Sequence, residues 1–178
     1  MTSYKEALQK VLKVVKKNKK KETVKKLKRE MLCEDIKAKR DNPSFNNSLL
    51  DGYAFKSSDT KKNFFFKING ELAVGENKKI KYIKNSCYRI STGGKITPPY
   101  DCMLPYEQIE VIDGLVQIPE KIKKFHNVRL QGSDFKKGQL LVKKKQKITS
   151  AKKLLIKSSG HENIFTYETP NIVLFCSG

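Results

Sequence analysis

The tightest constraint on the fold is the segment Ile109-Glu110-Val111-Ile112-Asp113-Gly114-Leu115-Val116-Gln117-Ile118. Two apolar runs flank an Asp-Gly pair. A two-residue connection of this kind selects a type I′ turn, so the segment is predicted to be a β-hairpin. More strands are expected around it. Phe64 to Ile68, Ile80 to Ile83 and Ser86 to Ile90 are apolar or alternating runs bounded by Gly, Asn and Ser. Pro98-Pro99 blocks both a helix and a central strand, so that segment reads as a loop. Many short strands with turn signals imply a compact β-rich domain in the middle of the chain.

The two ends read differently. Ser3-Tyr4-Lys5-Glu6 is a capping box, and Leu8, Val11, Leu12 and Val15 follow at helical spacing. A helix is predicted to run to about Lys17 and to bury that stripe. Lys16 to Lys21 reads as a solvated helix end and linker. Thr23-Val24 is expected to begin a short strand, and Leu27 to Leu32 a short helix. Leu140-Leu141-Val142 reads as a strand. Thr149 is placed to cap a helix carrying Ala151, Leu154 and Leu155, with Gly160 at its C′ position. Ile164 to Tyr167 reads as another strand. Asn171 to Gly178 is an apolar run ending in Ser-Gly, which is how a parallel α/β domain commonly begins. The chain therefore looks cut at the first strand of a further domain.

With 178 residues there is room for one or two domains. The net charge is +20, from 38 Lys and Arg against 18 Asp and Glu. Such a field draws nucleic acid, acidic membranes or phosphorylated small molecules without choosing among them. A basic nucleic-acid-binding module is one reading. The sequence carries no RNP-like aromatic motif, zinc knuckle or clean helix-turn-helix to support it. Cys33, Cys87, Cys102 and Cys176 are not spaced as zinc ligands, and free thiols in a reducing cytosol are expected. The start lacks an apolar secretory core, and no window approaches the ~18 apolar residues of a membrane span. A cytoplasmic location follows as the expectation.

The densest run of unusual residues is Pro43-Ser44-Phe45-Asn46-Asn47-Ser48-Leu49-Leu50-Asp51-Gly52-Tyr53-Ala54. Asn46, Asn47 and Ser48 favour local side-chain to backbone bonds, and Asp51-Gly52 reads as a tight turn. Asp51, Thr92 and Asp134 all stand in turns at or near glycines, where a ligand can approach the backbone closely. Carboxylates suit Mg²⁺, which often also contacts substrate phosphates. A hydroxyl such as Thr92 suits a phosphate or oxyanion. Taken as residue types alone, Asp51 is equally a turn residue, Thr92 a strand end and Asp134 an Asx turn.

Three blocks carry a resemblance. Asn47 to Ala54 resembles the DNSAMDGYA signature of the molybdopterin molybdenumtransferases, the MoeA family, which includes the E domains of gephyrin. Ile90-Ser91-Thr92-Gly93-Gly94, through Asp101 to Glu107, resembles the I-x-T-G-A…E block of that family. Asn127-Val128-Arg129 with Gly132-Ser133-Asp134 and Gly138 resembles its N-V-R-x-x-G-E-D-x-x-x-G block. Gly94 stands where the family usually has Ala, and Ser133 where it has Glu.

The resemblance implies an α+β, mostly β fold in three parts. Residues 1–44 with 138–170 would form an elongated, dimer-forming α/β domain. Residues 45–137 would form the inserted β-rich domain, and residues 171–178 the first strand of a truncated molybdopterin-binding domain. It implies Mg²⁺-assisted insertion of molybdate into adenylylated molybdopterin, with a homodimer as the working form. Asp51, Thr92 and Asp134 would be catalytic, Ser48 and Gly93 would lie at the cofactor, and no metal ligand is assigned. Asp101 and Glu107 are expected to be structural, and His161 an exposed turn residue. The fragment alone would be catalytically incomplete. A dimerisation or scaffold module without activity is the remaining alternative.

Overall fold

A computed structural model describes residues 2–14, 18–76, 78, 80–169, 171, 173 and 175. In chain order its elements are α1 (Tyr4–Val14), β1 (Lys19–Thr23), β2 (Met31–Leu32), β3 (Ile36–Lys37), β4 (Asn47–Ser48), β5 (Gly52–Phe55) and β6 (Phe65–Leu72). Then come β7 (Ser86–Ile90), β8 (Cys102–Pro105), β9 (Glu110–Ile112), β10 (Leu115–Gln117), β11 (Val128–Arg129), β12 (Leu140–Val142), α2 (Ser150–Ser158) and β13 (Asn163–Tyr167). The chain is mostly β, with two α-helices among the described residues. It divides into two compact units, Met1–Arg40 with Lys137–Gly178, and Asp41–Lys136. No described helix is long and apolar enough to cross a membrane.

The first unit joins the two ends of the chain. β13 lies between β1 and β2 in an antiparallel three-stranded sheet, and β12 pairs with β3. Its core is Val24, Leu27, Leu32, Ile36, Val142, Ile148, Ile156 and Ile164. The capping box is present: Ser3 N donates to Glu6 Oε2 at 2.9 Å, and Glu6 N donates to Ser3 Oγ at 3.3 Å. Thr149 caps α2 by accepting from Lys152 N, and Gly160 follows the helix at φ +95°.

Three expectations for this unit need correction. Lys19–Lys21 are not linker but the start of β1, paired with β13. No residue of α1 is buried, and Leu8, Val11 and Leu12 are 43%, 59% and 65% exposed. Capping and periodicity specify the helix, but they do not supply a surface to cover its apolar side. The rest of the expected helix, through Val15 to Lys17, lies outside the described residues. Leu27 to Leu32 is not a helix. Its backbone is bonded across the unit: Ile148 N donates to Glu30 O at 2.9 Å, Leu32 N to Gln146 O at 3.0 Å and Lys145 N to Leu32 O at 2.7 Å. Long-range pairing that buries Leu27 and Leu32 overrides the local helical preference. Most of the apolar run at 171–178 likewise lies outside the described residues.

The second unit is built on a six-stranded sheet of order β8-β5-β7-β6-β10-β9. The predicted hairpin is β9–β10, with Asp113 at φ +49° and Gly114 at φ +75°. Both sheet faces are buried where β5, β7 and β8 run, except at Arg89 on β7. Tyr53, Phe55, Cys87, Cys102 and Leu104 pack on one side, and Ala54, Tyr88, Ile90 and Met103 on the other. Cys87 and Cys102 carry free thiols, and burial pushes the Cys87 thiol up to about 12.

Ile80 to Ile83 is not a strand. Ile80 is buried against the second core. The Tyr82 ring lies edge-on to Tyr100 at 5.8 Å, and its hydroxyl donates to Asp59 at 2.8 Å. The segment covers the core with side chains and adds no ladder.

Candidate functional site

Strand geometry brings Asp51 and Thr92 together. Asp51 immediately precedes β5, Thr92 follows β7 by two residues, and Gly52 pairs with Ile90 across that ladder. Thr92 N donates to Asp51 Oδ1 at 2.6 Å, and Thr92 Oγ1 donates to the same oxygen at 3.0 Å. These bonds, the backbone one first, hold the Asp51 carboxyl below its ordinary range. Asp51 Oδ2 keeps no protein partner among the described residues.

A lowered folded-state pKa means that the clasp is complete above the ordinary carboxyl range. It is lost only as pH falls through the depressed value. The amide signal of Thr92 in a ¹H–¹⁵N spectrum is therefore expected to titrate with a midpoint below 3.8, the ordinary Asp value. A midpoint at or above that value would contradict the clasp.

Around this pair the three sequence blocks meet. β4 pairs with β11, so Ser48 faces Val128 and Asn47 faces Arg129. On its other side Ser48 N donates to Gly94 O at 3.0 Å, and Gly93 N donates to Ser48 O at 2.9 Å. Ile96 N donates to Asn46 O, and Leu49 N to Asn127 O. The buried Ser48 hydroxyl donates to Leu50 O at 2.6 Å, which fixes the approach to Asp51. Ser48 thus acts on the backbone of its own loop. Gly93, at φ +78°, lines a 330 Å³ cleft with Phe45, Gly75, Glu76 and Lys95. A larger cavity of 890 Å³, floored by Leu104, Ile109 and Ile118, excludes Asp51 and Thr92.

Asp134 takes different partners. Both of its oxygens receive Arg129 Nη2, at 2.8 and 2.7 Å, and Oδ2 also accepts from Asn42 Nδ2 at 2.8 Å. The carboxylate raises the Arg129 pKa through hydrogen bonding and charge. Among the described residues no hydrogen bond joins Asp134 to Asp51 or Thr92. Arg129 and Asn42 were not anticipated as site-forming residues. The visible signal was Arg129 five positions before Asp134, with the turn glycine Gly132 between them.

Asp101 receives the Ser57 amide at 2.7 Å and its hydroxyl at 3.0 Å, a structural use. His161 Nε2 lies 2.9 Å from Lys37 O. No group of three or more His, Cys, Asp or Glu side chains among the described residues could hold a metal ion. The chain's own offer to Mg²⁺ at this site is the single oxygen Asp51 Oδ2. That fits an ion held mostly by water and substrate phosphates.

The chain is mostly β, and its three sequence blocks meet around Ser48, next to the Asp51–Thr92 clasp. Residues 2–160 match the family model of the MoeA N-terminal region, domains I and II, and the chain belongs to that family. It is similar to a molybdopterin biosynthesis MoeA protein of Pyrococcus horikosii, with a TM-score of 0.84 and 26% identity, over 93% of this chain and 44% of that one. It is 29% identical over 147 residues to the molybdopterin molybdenumtransferase of Haemophilus influenzae. It is 27% identical over 153 residues to that of Staphylococcus epidermidis. These alignments cover 82% and 83% of this chain, which spans only 36% of either relative.

Proposed function

We propose that this chain supplies the N-terminal part of an enzyme that inserts molybdate into adenylylated molybdopterin with Mg²⁺. The observation that carries the reading is the Asp51–Thr92 clasp, formed by two of the family's signature blocks. Asp51 would give Oδ2 to Mg²⁺. Bound there, the ion would neutralise phosphate charge and polarise the phosphoanhydride that is cleaved. Thr92 fixes the rotamer of Asp51, and its two bonds favour the ionised carboxylate further. Ser48 and Gly93 hold the loop and leave the cleft open to a cofactor. Asp134 would act through Arg129 and Asn42, locking the third loop. The pterin-binding part would come from segments that the relatives have outside the region matched here.

A homodimer is part of the same reading, in the cytosol. The exposed stripe Leu8, Val11 and Leu12 is apolar surface that a second copy would cover. Sedimentation at tens of micromolar should show a dimer, and a monomer at that concentration would refute it.

The catalytic reading is tested by exchange. Residues 2–160 replace the matching region of the Staphylococcus epidermidis enzyme, and molybdate insertion is assayed. The chimera is expected to be active. A folded but inactive chimera would overturn the reading.

A further inference from the structure

β7, which ends two residues before Thr92, carries a group that the reading above does not use. Arg89 on β7 faces Tyr53 on β5 and Glu71 on β6 in register, so the three form one row across the sheet. Tyr53 is buried, and its hydroxyl accepts from Arg89 Nε at 3.3 Å. The Tyr106 ring stands edge-on to Tyr53, with centroids 5.3 Å apart, and Tyr106 N donates to Asp51 O at 3.3 Å. A short chain of contacts therefore runs from Arg89 through Tyr53 and Tyr106 to Asp51.

Arg89 itself is exposed. Among the described residues no carboxylate pairs with it, and its two Nη groups have no acceptor. Contrast Arg129, whose guanidinium is spent on Asp134. A guanidinium docked through Nε presents its remaining donors as a planar fork, the shape that takes two oxygens of a phosphate or similar anion. Burial raises the Tyr106 pKa, with Tyr53, Glu71 and Asp51 adding to the shift and Arg89 opposing it.

We propose that Arg89 is an oxyanion-binding residue of the Asp51–Thr92 site, oriented by the Tyr53 hydroxyl and receiving a tetrahedral oxyanion of the substrate. This rests on the functional reading above and adds an anion subsite to it. Asp51 would repel such an anion directly, so the pair works only with a cation between carboxylate and anion. Arg89 then holds the face that the cation does not. Two sources share this chemistry, the phosphoanhydride of a nucleotide-linked substrate and free molybdate.

The test uses the full chain at about 150 mM salt, where diffuse attraction from the +20 charge is screened. Inorganic pyrophosphate and molybdate are titrated separately, with and without Mg²⁺, while the Arg89 Nε–H signal is followed by NMR. With Mg²⁺ that signal should move saturably with at least one probe. R89Q should weaken that binding by about tenfold or more. R89K, which keeps the charge but loses the fork, should weaken it too and guards against a folding defect in R89Q. Pyrophosphate alone binding through Arg89 assigns the subsite to the linked phosphate, and molybdate binding assigns it to the free oxyanion. Unchanged affinity for both probes in a folded R89Q or R89K overturns the proposal. If Arg89 matters while Mg²⁺ and D51N have no effect, Arg89 binds the anion apart from Asp51 and its place in the Asp51–Thr92 site is overturned, while the functional reading still stands or falls on the chimera.

Discussion

Gly52→Ala is expected to unfold the Asp41–Lys136 unit. An added Cβ would sit 2.0 Å from Leu104 O and 2.8 Å from the Pro105 Cα. Both obstacles are backbone of β8, which pairs directly with β5 through Gly52↔Pro105 and Tyr53↔Leu104. Relief would require the two strands to separate. Those strands carry both cores of the unit, so no surface loop can yield instead. The loss should exceed about 4 kcal/mol, the range reached only when backbone or core is disrupted. Urea denaturation followed by tyrosine fluorescence measures it. Gly93→Ala is the control: its Cβ meets nothing within 4 Å, and only the positive φ opposes it. It should lose about 1–2 kcal/mol. A well-folded Gly52→Ala protein would show that β5 and β8 do not approach as described.

Asp51→Asn is expected to silence the chimeric enzyme while leaving this chain folded. Asn presents a carbonyl oxygen that can accept the same two bonds from Thr92, and Asn supports the same turns as Asp. The midpoint of urea unfolding should therefore hardly move. Asn lacks the negative charge that a Mg²⁺–phosphate site uses. Losing a metal's share of transition-state stabilisation amounts to several kcal/mol, so the insertion rate should fall by at least about 100-fold. Excess Mg²⁺ should restore part of it. Full activity would remove Asp51 from the chemistry, and an unfolded variant would make the loop scaffolding.

The sequence was most legible where a local rule needs only near neighbours. Asp113-Gly114, the Ser3–Glu6 box and the Thr149 cap each involve residues a few positions apart. It was least legible where distant backbone decides. Nothing in Leu27 to Leu32 announces that Gln146 and Ile148 will take its hydrogen bonds, and nothing in Ile80 to Ile83 announces that Tyr82 serves Asp59. The site divides along the same line. Asp51 and Thr92 stand in recognisable blocks, and the ladder between β5 and β7 joins them. Arg89 looks like an ordinary strand cation until the Tyr53 hydroxyl is seen to dock it. Arg129 and Asn42 surface only as the partners that claim both oxygens of Asp134.

The pairing of β1 with β13 has a consequence for the order in which the protein comes into being. Thr23 and Lys19 find their partners at Asn163 and Tyr167. A ribosome releases the chain from the N-terminus at about 5–20 residues per second. The whole of Asp41–Lys136 therefore emerges, with its ladders complete in itself, before the closing strand of the other unit exists. The inserted unit can finish while β1, β2 and β3 still wait for partners, and newborn chains stalled before residue 163 would expose the apolar face of Val24, Leu27 and Leu32 to the cell's chaperones.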